Sequence, residues 1–408
     1  TNDTQLSMLR SRVVQLLLPR VQDDTECNAS DRVLSAATRY ASTMLPSGAW
    51  PDINYTTVGL QGRSWWAAGV HLQRVQLLGI SANLKPSASE PFTASATKSL
   101  AYWVDNNFVQ SNWWWNWIGT PRAVAKSVLL LANVDAEAAA AIIPKALPII
   151  ARANYSHSGD TELGTNLAWM ASGQLLHALV ECNSSRATVA FRTAASTIGI
   201  DSGSQGIQHD FSWHQHGTQL YSGWGYGAIW STLMLTFVSY SANQPPTSPY
   251  RFPSDALTTI GDHMIVGGQR FMTAGKNLDF STCGRLMTYF SNITGPEHLN
   301  YGHYHYFAAF DQFPNAFPDF FCRNRTPLAV NFFNLLTEAA PAFEAATAAS
   351  LSQYATQISE GDVGKGVGPS GSRHFWNSDY HVHRRNNTVA ARYGGDNGVQ
   401  RLPFMASV

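Results

Sequence analysis

Residues 161–179 read TELGTNLAWMASGQLLHAL, and this stretch decides the class of fold. Its apolar residues recur three or four positions apart, which is the repeat of one face of an α-helix and not the alternation of a strand. The positions that share this face are Leu167, Met170, Ala171, Leu175, Ala178 and Leu179. The pattern predicts a helix of several turns with a buried apolar face.

Similar apolar stripes occur along most of the chain, as in RVVQLLLPRV (12–21), AVAKSVLLLANV (123–134) and AIWSTLMLTFVSYS (228–241). Clusters rich in Pro, Gly, Ser and Asn separate them, such as MLPSGAWPDINYT (44–56) and ANQPPTSPYRFPSD (242–255), and such clusters end helices. No short repeat of fixed period marks a regular solenoid. The sequence therefore predicts a mainly α protein built as an array of helical hairpins joined by long aromatic loops.

The composition of the sequence changes after residue 350. Residues 360–373, EGDVGKGVGPSGSR, are rich in Gly, and HFWNSDYHVHRRNNTVAARY (374–393) alternates in the manner of strands. We therefore expect a helical domain over residues 1–370 and the beginning of a β-rich domain over residues 371–408. So short a segment is too small for an independent sheet domain.

Composition excludes several classes of protein. The chain has 408 residues, 44% of them hydrophobic and 13% charged, which suits a globular protein and not a disordered one. The formal net charge is zero, so general attraction to nucleic acid or to an anionic membrane is not expected. No apolar run reaches the length of a membrane span. The basic residues are 21 Arg and 6 Lys, a bias that favours bidentate recognition of carboxylates.

Several features point to a secreted glycoprotein. The first residues, TNDTQLSMLR, carry no targeting pattern, so we expect any signal peptide to have been removed. Four widely spaced cysteines without a Cys-x-x-Cys pair are typical of one or two disulfides, and we expect these among Cys27, Cys182, Cys283 and Cys322. Eight Asn-x-Ser/Thr sequons predict N-glycans: Asn2, Asn28, Asn54, Asn154, Asn183, Asn292, Asn324 and Asn386.

The chemistry is concentrated in residues 210–227, DFSWHQHGTQLYSGWGYG. This segment sets His216 ten positions before Tyr226 in a run of Gly, aromatic and amide residues. Together with Asn166 and Arg285 it supplies an amide, an imidazole, a phenol and a guanidinium. Such a set can remove a carbon-bound proton beside a carboxylate, which is lyase chemistry.

A second motif, NWWWNWIGTPR (112–122), has four Trp in five positions, more indole than one helical face can bury in a core. Indole rings stack on the apolar faces of pyranose sugars, while nearby amides and guanidinium groups bind the hydroxyls. A packed aromatic core is the structural alternative. We interpret the motif as a sugar-binding wall made of Asn112, Trp113, Trp114, Trp115, Trp117 and Arg122, with Asn116 as a further polar partner.

These motifs, followed by CGRLMTYF (283–290), have the order and rough spacing of polysaccharide lyase family 8, the hyaluronate, chondroitin AC and xanthan lyases. The resemblance spans roughly residues 100 to 400. It implies an incomplete (α/α) toroid followed by an antiparallel β-sandwich, most of which lies outside this chain. It also implies that the cleft crosses the toroid and the domain junction, and that the protein acts on acidic polysaccharides.

By this resemblance, Asn166 looks like the asparagine that binds the uronate carboxylate, and His216 like the family's histidine. Tyr226 looks like the tyrosine that abstracts the proton, with Arg285 beside it. The loop from histidine to tyrosine is one residue longer than in the family, so Tyr221 stays open as an alternative base.

Two other departures concern the substrate. The family's tryptophan motif usually has Glu before Ile-Gly, where this chain has Trp117, and the family's second arginine is replaced by Tyr289. Both changes alter groups around the sugars, so we also expect Tyr289 to contact substrate. They favour mannuronate-rich alginate, as in the family's fungal alginate-active branch, over the runner-up, a hyaluronan or chondroitin AC-type polymer.

The expected reaction is a syn β-elimination. Removing the C5 proton of a uronate builds charge on a group that is already anionic, so Asn166 and His216 would have to stabilise it. A free phenol has a pKa of about 10, so Arg285 or His216 would have to favour ionised tyrosine. In glucuronate and mannuronate the proton and the O4 leaving group share a face, so one tyrosine can serve both. The product is a C4=C5 unsaturated uronide, and neither a metal nor an organic cofactor is required.

Other interpretations remain at this point. Asn166 could cap a helix that begins at Leu167, and His303 and His305 in HYHYF could suggest a metal. A toroid glycoside hydrolase would need two carboxylates, for which Glu162 and Asp210 are the candidates near the motifs. A sugar-binding protein without catalysis would need only the tryptophans. We expect a monomer.

Overall fold

The computed structural model describes residues 2–19, 28–56, 66, 68–157, 160–200, 205–222, 226–265, 273–274, 277–278, 282, 339–360, 370–385, 388–393 and 404–407. Several predicted features lie outside these ranges. They are Arg285, Tyr289, the HYHYF segment, Cys27, Cys283 and Cys322.

Helices dominate the described chain, as the apolar stripes predict. Eleven α-helices lie within the described ranges: α1 (Asn2–Leu17), α2 (Ala29–Thr43), α3 (Gly69–Leu84), α4 (Glu90–Asn106), α5 (Thr120–Val134), α6 (Ala136–Ile150), α7 (Gly164–Glu181), α8 (Ser184–Ser196), α9 (Tyr226–Tyr240), α10 (Ser254–Ile265) and α11 (Ala345–Glu360). None of these helices combines the length and apolar character of a membrane span.

The central helices pack as hairpins in two layers. The consecutive helices pack against each other in pairs, α3 with α4, α5 with α6, and α7 with α8. Across the hairpins, α3 contacts α5, α5 contacts α7, and α7 contacts α9, whereas α4 contacts α6. This places α3, α5, α7 and α9 in an inner row and α4, α6 and α8 outside it, the arrangement of an (α/α) toroid.

Burial explains why each helix takes its layer. Sixteen of the eighteen residues of α7 are buried, because α7 has neighbours on both sides. In α8, four of thirteen residues are buried, and they recur at helical spacing as Ala187, Ala190, Phe191 and Ala194. A helix that is apolar on all sides belongs inside, whereas one with a single apolar stripe belongs at the surface. The sequence pattern therefore sorts inner from outer helices.

The described strands are short except near the C-terminal end. Two-residue strands pair as β1 (Ser156–His157) with β2 (Asp160–Thr161), β3 (Gly206–Ile207) with β4 (Trp213–His214), and β5 (Thr273–Ala274) with β6 (Asn277–Leu278). An antiparallel sheet then follows in the order β10–β9–β8–β7, made of β7 (Gly371–Phe375), β8 (Tyr380–Arg385), β9 (Thr388–Tyr393) and β10 (Phe404–Ser407). This sheet begins at Gly371, and the division into two domains stays a prediction.

Cys182 is exposed at the end of α7, in no disulfide with any described residue. Its Sγ lies 3.7 Å from Arg10 Nη1. Because the other three cysteines lie outside the described residues, the disulfide prediction stays untested.

Candidate active site

The site is organised around the first turn of α7. The helix begins at Gly164, three residues earlier than a cap at Asn166 would place it. Its N-terminal N–H groups need acceptors, and a side chain distant in sequence supplies one: Gln215 Oε1 accepts from Thr165 N at 3.2 Å. Gly164 has φ +56°, and a Cβ there would lie 2.5 Å from that same oxygen. Glycine is therefore needed for the loop to approach the helix.

The same turn also holds the start of α9. Thr165 Oγ1 donates to the carbonyl oxygen of Tyr226 at 2.9 Å, and Tyr226 is the first residue of α9. Gly227 N donates to Tyr221 O at 3.1 Å, which ties α9 to the preceding loop. The first turn of α7 thus joins the histidine loop and the tyrosine helix, which are about 50 and 60 residues away in the sequence.

Asn166 is the third residue of α7 and is buried, with 7% of its surface exposed. Its Nδ2 donates to Glu162 Oε2 at 3.1 Å. The cap interpretation is therefore wrong, because the side chain bonds to a carboxylate and not to the helix N-terminus. The bond orients the amide, and a second N–H on the same nitrogen is chemically available to an acceptor.

His216 lies in the loop after β4, exposed and with the left-handed φ of 57°. The loop is held where Tyr221 N donates to Trp213 O at 2.9 Å and where His214 bridges to Leu220. The ring centroids of His216 and Tyr226 are 4.9 Å apart with the planes at 78°. The structure therefore brings the predicted histidine and tyrosine into direct contact.

The two candidate tyrosines differ in exposure. Tyr226 is half-buried, whereas Tyr221 has no exposed surface, and its hydroxyl donates to Gln219 Oε1 at 3.4 Å. Their ring centroids are 5.1 Å apart, in an edge-to-face contact. Only the Tyr226 side chain is partly open to solvent, so it is the better placed of the two to meet a substrate.

His214, two residues before His216 in the motif, is a core residue. It is 1% exposed, and its Nε2 lies 2.7 Å from Ser378 Oγ. Burial lowers the pKa of His214, and this outweighs the opposite influence of Asp210. At neutral pH the imidazole is therefore uncharged.

The tryptophan motif forms a half-open aromatic surface. Trp113, Trp114 and Trp117 are half-buried, in a helical segment that includes a π-helical turn over Trp115–Gly119 and leads directly into α5. Gly119 allows this packing, because a Cβ there would lie 2.7 Å from Trp114 Cζ3 and 2.8 Å from Trp115 Cε3. The three half-buried indoles form what we call the tryptophan wall.

Trp115 does not belong to the exposed wall. It is buried, with its ring centroid 5.4 Å from that of Trp66 and its ring edge over Gly69. For this residue the expectation of a substrate contact is corrected to a core role, because neighbouring indoles on one helix point to different sides.

The asparagines of the motif bond to the backbone of their own loop, whereas Arg122 is buried. Asn112 Oδ1 accepts from Trp114 N at 3.1 Å, and Asn116 exchanges two hydrogen bonds with the backbone of Gln110. Both amides therefore shape the loop. Arg122 is 3% exposed and lies under Gly173 of α7. The substrate-binding roles of Asn112 and Arg122 stay predictions.

An unbroken row of aromatic rings connects the tryptophan wall to the tyrosine. Trp114 lies 5.2 Å from Trp169 of α7, and Trp169 lies 6.1 Å from Tyr226, both edge to face. The wall and the tyrosine therefore belong to one site, although more than a hundred residues separate them in the chain.

The candidate carboxylates do not form the pair that a hydrolase needs. Asp210 is completely buried and accepts hydrogen bonds from Ser212 and Asn377, and Glu162 accepts from Asn166. A hydrolase requires both groups to face the scissile bond. The described residues also contain no group of three His, Cys, Asp or Glu able to hold a metal ion.

Sequence inspection missed two residues that assemble the site, Thr165 and Gln215. Both lie inside the quoted motifs, but their importance depends on contacts between separate segments. The one feature of the sequence that could have indicated them is that Thr165 directly precedes Asn166 and Gln215 directly precedes His216.

Known proteins with related sequences and folds are polysaccharide lyases. The chain is 23% identical over 292 residues to chondroitinase-AC of Pedobacter heparinus, which covers 70% of this chain and 38% of that protein. A solved chondroitinase AC lyase matches 99% of the chain and 54% of its own length, with a TM-score of 0.75 and 17% identity. A Paenibacillus xanthan lyase gives a TM-score of 0.71 and 14% identity, over 100% of this chain and 40% of its own.

These folds confirm the predicted toroid. The chain spans about half the length or less of the relatives that it matches. The family model described as polysaccharide lyase family 8, N terminal alpha-helical domain, matches residues 72–285, just over half of the chain and the part that carries every predicted catalytic residue. The chain belongs to polysaccharide lyase family 8.

Proposed function

We propose that this chain carries the helical catalytic part of a lyase that cleaves 4-O-linked uronate polymers by syn β-elimination. The observation that carries the proposal is that His216 packs against the ring of Tyr226, whose backbone is held by Thr165, the residue before Asn166 in the first turn of α7. The products would be chains that end in a C4=C5 unsaturated uronide. Membership in family 8 supports this reaction class.

Each residue has a role that its surroundings support. The free N–H of the Asn166 amide binds the substrate carboxylate and, with His216, stabilises the charge that develops when the C5 proton leaves. Tyr226 takes that proton and returns it to the O4 leaving group. Arg285, which lies outside the described residues, is assigned by its motif to favour ionised tyrosine.

The tryptophan wall is proposed to bind the sugar rings on one side of the cleavage point. Its three half-buried indoles offer flat apolar surfaces, and the aromatic row through Trp169 leads to Tyr226. Asn112, Arg122 and Tyr289 are proposed as polar partners. Replacing Trp114 with Ala is expected to raise KM for polymer more than it lowers kcat.

For the substrate, we favour a chondroitin AC-type or hyaluronan-type glycosaminoglycan. The sequence departures at Trp117 and Tyr289 favour alginate, but the relatives found support the runner-up. One of them is a chondroitin AC lyase of Streptomyces coelicolor in complex with chondroitin sulphate, with a TM-score of 0.66, 17% identity and coverage of 95% of this chain and 53% of that one. Glucuronate, the uronate of these polymers, has the syn arrangement that a single tyrosine requires.

A digestion panel tests the reaction and the substrate together. Chondroitin, hyaluronan and mannuronan are incubated with the protein, and the ultraviolet absorbance of unsaturated uronides is followed. We expect absorbance to rise with chondroitin or hyaluronan and less or not at all with mannuronan. New reducing ends without the chromophore would indicate a hydrolase, and a rise with mannuronan alone would restore alginate as the substrate.

Two matched variants test the base. Tyr226→Phe is expected to lower turnover by about 10²-fold or more, as loss of a general base does, with binding of oligosaccharide retained. Tyr221→Phe removes the same hydroxyl from a buried ring 5.1 Å away and should leave turnover within a few-fold. The opposite ranking would make Tyr221 the base.

We further propose a secreted, monomeric glycoprotein. Among the described sequons, Asn28, Asn54 and Asn154 are exposed, as glycan attachment requires. Asn183 is half-buried, and its side chain caps α8. Mass spectrometry after enzymatic deglycosylation should show carbohydrate on the three exposed sites, and light scattering should give a monomer mass. Unmodified peptides from a eukaryotic host would contradict the proposal.

A further inference from the structure

A completely buried carboxylate lies where the helical body meets the C-terminal sheet. Asp210 has no exposed surface. Its Oδ1 accepts from Ser212 N at 3.0 Å and from Ser212 Oγ at 2.6 Å, and its Oδ2 accepts from Asn377 N at 2.9 Å. A buried carboxylate is tolerated only when hydrogen bonds replace its water, and here each oxygen serves a different segment. Asp210 therefore joins the loop before β4 to the sheet.

The sheet reaches this loop through one hairpin, β7 and β8. Asn377 lies in the turn of the hairpin, beside Ser378, whose hydroxyl lies 2.7 Å from His214 Nε2. Arg373 on β7 donates from Nη2 to the carbonyl oxygen of Asp210 at 3.3 Å. Three neighbouring points of the hairpin thus contact residues 210–214, and we call this contact the hairpin seam.

The segment that receives the hairpin has an unfavourable backbone and leads to the catalytic histidine. Phe211 has φ 64° and His216 has φ 57°, both in the left-handed region, which residues other than glycine rarely adopt. Such conformations persist where surrounding contacts enforce them. Around Phe211 the contacts are the Asp210–Ser212 turn and a bond of 2.7 Å between Phe211 O and His263 Nδ1.

Only a few residues separate the hairpin seam from His216, and pairing and hydrogen bonds fix their positions. Ile207 pairs with Trp213, Gly206 pairs with His214, and Gln215 bonds to Thr165 on α7. A displacement at Asp210 is therefore passed along β4 to the loop that carries His216. A shift of about 1 Å in a catalytic group can lower turnover by about 10²-fold.

We propose that Asp210 is a positioning residue, through which docking of the β7–β8 hairpin sets the placement of His216 against Tyr226. This inference rests on the proposed lyase function. It assigns to the beginning of the sheet an indirect part in catalysis, through the placement of His216, and no hairpin residue is assigned to substrate.

The test compares Asp210→Asn with two controls. An asparagine can keep the bonds to Ser212 through Oδ1, but its NH2 group then faces the N–H of Asn377, so the variant breaks the seam selectively. Asp52→Asn disrupts a carboxylate bonded to Arg74 at 2.5 and 2.7 Å in another part of the helical body. Ser378→Ala removes the hydroxyl group that contacts His214 and keeps the hydrogen bonds that the Asp210 carboxylate accepts from Ser212 and Asn377.

At temperatures where each variant stays folded, Asp210→Asn is expected to lower kcat by about tenfold or more with little change in KM. Ser378→Ala should lower kcat by a few-fold, and Asp52→Asn should not lower it, even if its thermal unfolding shifts as much. The inference is overturned if Asp210→Asn keeps native kcat, or loses no more activity than Asp52→Asn at equal loss of stability. If Asp210→Asn does not fold, Ser378→Ala tests whether docking of the hairpin places His216, and native kcat in that variant overturns this part of the inference.

A second measurement does not depend on turnover. Diethyl pyrocarbonate modifies exposed imidazoles, and peptide mass spectrometry gives the modification rate of His216. The rate should change in Asp210→Asn and not in Asp52→Asn, and an unchanged rate would contradict the proposal. If the native protein fails to produce unsaturated uronides, the proposed function is wrong, while this labelling result still decides whether the hairpin seam places His216.

Discussion

A buried histidine beneath the loop that leads to His216 makes the stability of this protein depend on pH. His263 of α10 has no exposed surface and lies against Trp213 and Trp230. Its Nδ1 bonds to the carbonyl oxygen of Phe211 at 2.7 Å, so Nδ1 carries the proton. Nε2 has no hydrogen-bond partner among the described residues, and protonating it would bury an unpaired N–H. Burial lowers the pKa of His263 from 6.5 to about 4.

The sign of the effect follows from which state binds the proton. Between pH 6.5 and about 4 the unfolded chain is protonated at His263 and the folded protein is not, so acid favours unfolding. Above pH 6.5 the titration of His263 does not lower the free energy of unfolding. As the pH falls from 6.5 toward 4, the free energy of unfolding decreases. Each pH unit corresponds to about 1.4 kcal/mol, so the shift predicts a loss of about 3 kcal/mol over this range.

The measurement compares the native protein with His263→Asn. The amide of asparagine can donate to Phe211 in place of Nδ1 but does not titrate. Urea unfolding, followed by tryptophan fluorescence from pH 7 to pH 4, gives the free energy of unfolding of each protein. The native slope should exceed that of the variant by about 1.4 kcal/mol per pH unit below pH 6.5. His71, whose pKa burial lowers to about 3, is present in both proteins and cancels.

Equal slopes in the two proteins would refute this reasoning, because His263 would then titrate normally in the folded state. A lower absolute stability of the variant is expected at every pH, because asparagine leaves part of the ring volume empty. That offset does not affect the comparison of slopes.

Substitutions at three further positions probe the site. Gly119→Ala should destabilise the protein by about 1–3 kcal/mol in urea, because its Cβ would meet the rings of Trp114 and Trp115; unchanged stability would contradict the packing. Glu162→Ala should lower turnover by about tenfold, because Asn166 loses the acceptor that orients it, whereas Glu162→Gln keeps an acceptor and should recover most of the rate in the same ultraviolet assay. Gly227→Ala should lower both thermal stability and turnover, since its Cβ would lie 2.5 Å from the Tyr221 carbonyl oxygen beside Tyr226; native values for both would show that the loop can adjust.

The helical periodicity correctly predicted the fold class and indicated α1, α5, α7 and α9, because the spacing of an apolar stripe is a local property of the sequence. The start of α7 was placed too late, because the acceptor at its N-terminus comes from Gln215, fifty residues away. Likewise, four tryptophans in five positions indicated a special surface, but only packing against Trp66 and Gly69 shows that Trp115 is buried.

For the candidate site, too, some features could be predicted from the sequence and others depend on the tertiary structure. Residue types and the resemblance to the family's motifs nominated Asn166, His216 and Tyr226, because each motif is local, and their roles stay predictions. Their meeting depends on tertiary contacts, namely Thr165 with Tyr226, Gln215 with Thr165, and the edge-to-face packing of His216 on Tyr226. The exposure that separates Tyr226 from Tyr221 is also a tertiary property, since the two rings are similar in chemistry and neighbours in sequence.

Local pattern thus determined the helical fold class and indicated which side chains could perform an elimination. The folded structure alone decided how three distant segments meet and why Asp210 is buried between the helices and the sheet. The physical reason is range: apolar periodicity acts within a few residues, whereas a hydrogen bond between separate segments exists only after the chain has packed. Roles that depend on such bonds cannot be read from spacing along the sequence.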